Sequence, residues 1–369
     1  MKKLIALIAL LVLAAAVAAQ DYKTVRDGVE YAELEREIDQ TKVRMNLLRL
    51  DPTKVRLDVA HAMDNLTGTE KTSSIATRHG AIAAINAGFF RFDASIFAGD
   101  PAGVLMIDGK LLSESHNDRI AVLIKNFTAR TDVVFAHLNV NYKLTIGKEE
   151  IEVSGIDRER KADELVLFTP EFSRTTLTDP QGVEIAVERN RITKISDGRG
   201  STAIPADGFV ISASGKLRER LLKIVKLKEK VKLTRIINAK EPKAGFDVLE
   251  AEDITNGVAQ LLRNGKIDVT WEQEKASKSF YETKHPRTAL AKLKDGKILM
   301  ITVDGRSESS GGISLENLAR LLLEFGATDA MNLDGGGSTT MFLDGRVVNH
   351  PSDKEGERRI GDAILVFTR

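Results

Sequence analysis

Apolar and polar residues alternate along much of this chain, and the alternation predicts strands more often than helices. Lys42-Val43-Arg44-Met45-Asn46-Leu47-Leu48-Arg49-Leu50 and Lys54-Val55-Arg56-Leu57-Asp58-Val59 read as two strands, with Asp51-Pro52 as the turn between them. Thr72 to His79 predicts a short helix closed by Gly80. The apolar run Ala81-Ile82-Ala83-Ala84-Ile85 suits a buried strand that delivers Asn86-Ala87-Gly88-Phe89-Phe90 at its end. Asp108-Gly109, Asn264-Gly265, Asp295-Gly296 and Asp344-Gly345 each stand between apolar flanks, and such pairs favour the positive dihedrals of tight hairpins. Their uneven spacing indicates a β-rich fold rather than a repeat array. Helices are few. The clearest starts at Ser314 as N-cap, carries Leu315, Leu318, Leu321, Leu322 and Phe325 on one face, and stops at Gly326. A second, Gly215 to Val225, mixes basic residues with Leu217, Leu221, Leu222 and Ile224. The pattern as a whole predicts an α+β fold of β-rich mixed sheets.

Residues 1–19 depart from that pattern. Lys2 and Lys3 precede an apolar run from Leu4 to Ala19 that ends in small residues before Gln20 and Asp21, the order of a secretory signal. The run is short for a span of roughly 20 residues. The expectation is a cleaved signal, export to the periplasm or the exterior, and no stable membrane span afterwards. The chain has no cysteine, which excludes a lipid-anchored lipoprotein, disulfides and thiolate chemistry. Beyond the signal, the chain divides by pattern into a strand-rich segment at 20–60 and a domain at 61–369 whose middle section, about 113–280, is β-rich. No low-complexity linker forces a boundary.

Composition narrows the function classes. Lys+Arg 54 against Asp+Glu 53 gives a net charge of +1, and loss of Lys2 and Lys3 with the signal would bring the balance to 52 against 53. Near neutrality argues against a nucleic-acid surface. With 42% hydrophobic and 29% charged residues among 369, the chain is globular and has ample core.

Candidate chemistry concentrates between Thr283 and Gly361. Ile298-Leu299-Met300-Ile301-Thr302-Val303 runs into Asp304-Gly305-Arg306, and Ala330-Met331-Asn332-Leu333 runs into Asp334-Gly335-Gly336-Gly337-Ser338-Thr339-Thr340. Each presents a carboxylate at a strand end, where the chain turns sharply and a ligand can approach. Two such groups could supply acid and base, or nucleophile and acid, for glycosyl cleavage; they also suit two ordinary Asp-Gly turns. Successive amides at the triple glycine could form an anion-binding nest with Ser338 and Thr339 adding donors. Asp197-Gly198-Arg199-Gly200-Ser201-Thr202 looks similar but reads as a loop. Arg287, Arg306 and Arg358 are candidate partners for an anionic group, because guanidinium forks match phosphate oxygens. The six histidines form no His-Glu-x-x-His pair, no Gly-x-Ser-x-Gly elbow is present, and no helix-loop-helix calcium loop appears. A lone Trp271 and 5% aromatics argue against a broad sugar-stacking face. No cofactor or metal motif is identified, and a divalent cation is left open, as is the oligomeric state.

Asn86-Ala87-Gly88-Phe89-Phe90, His285-Pro286-Arg287-Thr288-Ala289, Val303-Asp304-Gly305-Arg306, Gly312-Ile313-Ser314-Leu315, Asn332-Leu333-Asp334-Gly335-Gly336-Gly337-Ser338 and Val348-Asn349-His350-Pro351-Ser352, then Glu357-Arg358, occur in that order. This resembles the phosphodiester glycosidase family over roughly residues 60 to 369. The resemblance implies a catalytic domain of that type, with Asp304 and Asp334 catalytic. Asn86, Arg287, Arg306, Gly335, Gly336, Ser338 and Arg358 would bind substrate or phosphate, joined by Thr339 from the reading of the glycine nest. Together with the signal-like run at 1–19, it implies an exported hydrolase of sugar-1-phosphodiesters in a glycan or envelope polymer. Two departures bear on substrate geometry: the family often has Asn-Gly-Gly where this chain has Asn86-Ala87-Gly88, and Gly-Gly-Pro where it has Asn256-Gly257-Val258-Ala259-Gln260. The alternative from another class is a non-catalytic envelope module that binds anionic glycans, or serves exopolysaccharide assembly, through the same arginines.

Overall fold

The computed structural model describes residues 21–240 and 246–369; the expected signal at 1–19 lies outside the described residues. The fold is α+β and β-rich, with four α-helices among the described residues. An eight-stranded sheet forms its centre, built from strands at 23–26, 29–38, 41–50, 298–303, 287–293, 327–332, 260–263 and 266–267 in that spatial order. N-terminal and C-terminal sequence therefore meet in one sheet: Leu47 pairs with Ile301 and Met45 with Val303. The strand Val55–His61 runs across position 60 and pairs along its whole length with the last strand, Asp362–Thr368. These two lie in a second sheet with Ala83–Asn86 and Met341–Leu343.

Alternating apolar positions explain the layers. Leu48, Leu50, Leu290, Met300 and Met331 on one face of the central sheet pack with Leu57, Val59, Ile85, Ile364 and Val366 of the second sheet in one buried cluster. On the other face, Leu47, Ala289, Ile301 and Ala330 are covered by the helix Leu315–Glu324 through Leu315, Leu318, Leu321 and Leu322. Burying each of those leucines contributes about 1.5–3 kcal/mol. The helix begins as its sequence predicts, with the Ser314 hydroxyl accepting from the Asn317 amide, and the chain turns at Gly326, whose φ is +84°. All four predicted hairpins form. The middle section adds two more sheets around its own large core, and the predicted helix at 215–225 is observed as Gly215–Ile224. Among the described residues, no helix is long and apolar enough to cross a membrane.

Candidate active site

Ile298–Val303 and Ala327–Asn332 both pair antiparallel with Arg287–Leu293, one on each side. They are therefore parallel to each other and end together beside Pro286, where the middle strand enters. Asp304 and Asp334 follow those two ends, two strand spacings apart, which sets their main chains about 10 Å from each other.

Asp304 is buried at 2% exposure. Its backbone N–H donates to Arg44 at 2.9 Å, its carbonyl accepts from the Ser310 hydroxyl at 2.6 Å, and that hydroxyl accepts from the Arg44 N–H. Its Oδ1 accepts from Asn349 Nδ2 at 3.2 Å and from the His350 backbone N–H at 3.0 Å. Oδ2 is buried without a hydrogen-bond partner. Burial pushes this carboxyl above the ordinary range, and the two donors offset only part of that shift.

Asp334 is half-buried. Its backbone is stitched on both sides: the N–H donates to Ala87 at 2.9 Å, and the carbonyl accepts from Asn86 Nδ2 at 2.6 Å. Its Oδ1 accepts from the Gly335 amide at 2.9 Å. Burial raises its pKa to about 6, against the pull of the nearby Ser338 hydroxyl, the Gly335 amide and the Arg358 charge. The Ser338 hydroxyl lies close enough to matter electrostatically without hydrogen-bond geometry, and its Oγ has no partner. Asp362 adds to the upward shift. This buried carboxylate accepts from the Gly88 amide at 2.9 Å and from the Thr255 hydroxyl at 2.6 Å.

The two turns touch. Arg306 adopts φ +61°, in the left-handed region, which costs a non-glycine residue about 1 kcal/mol or more. Its guanidinium packs on Gly336 of the opposite turn, where a Cβ would meet Nη2 at 3.0 Å. It is exposed, and among the described residues its hydrogen-bond partner is Ser352 Oγ, at 3.5 Å from Nη1. Asn349 forms the second bridge: Nδ2 also donates to the Thr339 carbonyl at 3.0 Å, and Oδ1 accepts from the Met341 N–H at 2.7 Å. Around this junction the side-chain oxygens of Ser338, Thr339 and Thr340 are buried and unpartnered, as is Asp304 Oδ2. Such groups are costly when nothing bonds them.

Several residues read from sequence as ligands have other work. The amide nest does not form. Gly335 donates to Asp334, Gly336 to the Pro286 carbonyl, Ser338 to the Gly335 carbonyl and Thr339 to the Gly336 carbonyl. The glycines instead permit close approach, since a Cβ on Gly335 would meet the Pro286 carbonyl oxygen at 2.8 Å and one on Gly337 would overlap Arg358 and Asp353. Asn86 is fully buried and acts as a clip, its Oδ1 accepting from the Thr288 hydroxyl and the Thr340 N–H. Arg287, 2% exposed, donates from Nε to the Ile313 carbonyl and from Nη2 to those of Phe280 and Thr283, with its guanidinium 4.8 Å from the Phe280 ring. Burial, aided by the Arg306 charge, lowers its pKa to about 10. It braces the entrance of the middle strand and is not an open clamp. Arg358 forks onto Asp353 at 2.7 and 3.0 Å. Of the three, Arg306 has the exposed guanidinium: Arg287 is spent on backbone carbonyls and Arg358 on Asp353.

Sequence reasoning assigned no role to Asn349, His350, Ser310 or Asp362. Asn349 and His350 stood in a quoted motif; Ser310 and Asp362 gave no local signal, because their partners lie 6 to 274 residues away. Among the described residues, no group of three or more His, Asp and Glu side chains converges to hold a metal ion. A concavity of about 650 Å³ lies elsewhere, between Arg189–Arg191 and Glu229–Leu233, so cavity size does not pick out this junction.

The chain matches the phosphodiester glycosidase family over residues 181–367. It is 27% identical over 236 residues to an uncharacterized protein of Rickettsia conorii, covering 62% of this chain and 77% of that one. It is 36% identical over 121 residues to human N-acetylglucosamine-1-phosphodiester alpha-N-acetylglucosaminidase, covering 29% of this chain and 23% of the human protein. The chain thus spans less than a quarter of that enzyme. Its fold is similar to that of a Burkholderia pseudomallei protein provisionally named as exported, with a TM-score of 0.77 at 24% identity over 89% of this chain and 74% of that one.

Proposed function

Because the chain belongs to the phosphodiester glycosidase family, we propose that it is an exported hydrolase that cleaves a sugar-1-phosphodiester of a glycan or cell-envelope polymer. The observation that carries this reading is the meeting of Asp304, Asp334 and Arg306 at one end of the central sheet. In the reaction, the bond between the anomeric carbon and the phosphodiester oxygen breaks, and that oxygen leaves with the electron pair on a phosphomonoester. Water delivers hydroxide to the anomeric carbon and its proton to a carboxylate. A phosphate leaving group is weakly basic, so charge stabilisation takes precedence over protonation, and the open guanidinium of Arg306 is suited to that task.

Asp334 is the favoured base, because burial raises its carboxyl to about 6, near the working range of a general base. In this reading Asp304, whose Oδ1 is held by Asn349 and the His350 amide, supplies the negative charge that stabilises the developing positive charge at the anomeric carbon. Export rests on the signal-like pattern of residues 1–19.

The test is hydrolysis of a panel of synthetic sugar-1-phosphodiesters, read as free sugar and phosphomonoester. Wild-type turnover that is lost in Asp334→Asn and Asp304→Asn supports the reading. An inert wild type that still binds phosphoglycans supports the binding module instead.

A further inference from the structure

Phe92 is 67% exposed, yet its ring is not loose. Arg358 holds its guanidinium 4.7 Å from the ring centroid, and Phe90 meets the ring edge-on at 6.1 Å and 88°. The loop beneath is fastened at both ends. Arg91 donates through its backbone to Asp100 at 2.7 Å and accepts from Gly99 at 2.9 Å, while its guanidinium bonds Asp93 at 2.5 Å and Glu159 at 2.6 Å. Asp93 in turn accepts from the Ser95 amide at 2.9 Å. A rigid aromatic ring in water loses hydrophobic stabilisation that burial would provide. Ile96, on the same loop, is 63% exposed.

This ring is continuous with the candidate site. Arg358 touches Phe92 on one side and abuts Gly337 on the other, inside the loop that begins at Asp334. The arginine already forks onto Asp353, so its remaining role toward a ligand is to orient the ring. Resting on the hydrolase reading above, we propose that Phe92 is the stacking platform for the alcohol side of the phosphodiester, and that this alcohol is a ring-bearing one, a sugar residue laid with its C–H face on the phenyl ring. The enzyme then discriminates the leaving group as well as the glycosyl group, and prefers diesters between two sugars over simple alkyl diesters. One ring suffices for that purpose.

The experiment separates the subsite from the reaction. Titration calorimetry compares glucose 6-phosphate with methyl phosphate on the full chain, wild type and Phe92→Ala, with Phe92→Trp as the conservative control. The expected result is binding about five- to tenfold tighter for the ring-bearing phosphate in wild type. That preference disappears in Phe92→Ala and persists in Phe92→Trp. No preference in wild type, or its survival in Phe92→Ala, overturns the proposal. In parallel, the ratio of kcat/KM for a sugar diester over a methyl diester should fall by the same factor in Phe92→Ala, through KM. Binding preference without any wild-type hydrolysis would remove the hydrolase reading and keep the subsite; hydrolysis with an unchanged ratio would do the reverse.

Discussion

Two loops of this molecule share five letters of a six-residue run and live in opposite surroundings. Asp197-Gly198-Arg199-Gly200-Ser201-Thr202 and Asp334-Gly335-Gly336-Gly337-Ser338-Thr339 both leave a strand with Asp-Gly and end in Ser-Thr. At the first, the carboxylate sits in water, forked by Arg218 at 2.7 and 3.0 Å, and that pairing pulls its pKa down. A Cβ on Gly198 would meet nothing within 4 Å. At the second, the chain is wedged between Pro286, Arg306 and Arg358, and burial lifts the carboxyl to about 6. Asp353 has taken the Arg358 fork, so Asp334 keeps a raised pKa and no bound arginine. The contrast teaches that an Asp-Gly turn becomes chemically useful when its neighbours exclude water without neutralising it.

Exchanging one carboxylate at a time is the severest test of that contrast. Asp334→Asn should lower turnover by about 10² or more, because acid–base help contributes on the order of 10²–10⁴, while a thermal melt shows the fold retained. Asp197→Asn should leave specific activity at the wild-type level. Equal activity in both variants would erase the distinction between the loops.

A smaller effect is expected at the arginine. Arg306→Lys keeps the charge and loses the planar fork, so kcat/KM should fall roughly ten- to hundredfold. Wild-type kinetics in this variant would make Arg306 a surface residue like Arg218. Asn349→Ala tests positioning in place of contact. Removing the amide that holds Asp304 Oδ1 and the Met341 N–H should cost about 1–3 kcal/mol of stability. It also removes an influence that lowers the Asp304 pKa, so the acidic limb of the pH profile should move upward. A merely structural Asn349 would change the melt and leave the profile where it was.

The smallest effect is on stability against pH, and here the two loops have opposite signs. Asp334 has its folded pKa, about 6, above the ordinary 3.8, so the folded state holds more protons in that window. Its contribution is present below pH 3.8 and is lost as pH rises toward 6. Wild type should therefore lose melting temperature relative to Asp334→Asn over that range. Asp197 is depressed, so its contribution is present above the ordinary carboxylate pKa and is lost on acidification. Melts of both Asn variants between pH 3 and 7 read the two signs directly; a shared sign would contradict the burial argument.

What sequence alone determined here is local. Ser314 and Gly326 set the limits of the main helix, Asp-Gly and Asn-Gly pairs set the hairpins, and alternation set most strands, because each depends on dihedral preferences and a single buried face. The ordered motifs likewise pointed to Asp304 and Asp334, since an apolar strand that ends in Asp-Gly is visible in one dimension. Only the tertiary structure decided what those residues do. Whether the glycine amides were free depended on the Pro286 carbonyl, some fifty residues away, and on bonds within the turn itself. Whether Asn86 and Arg287 met substrate or braced the backbone depended on Thr288, Thr340, Ile313 and Phe280. Charge and hydrogen-bond capacity belong to the residue; the water around it, which sets a pKa and leaves an oxygen without a partner, is fixed by segments brought together from both ends of the chain.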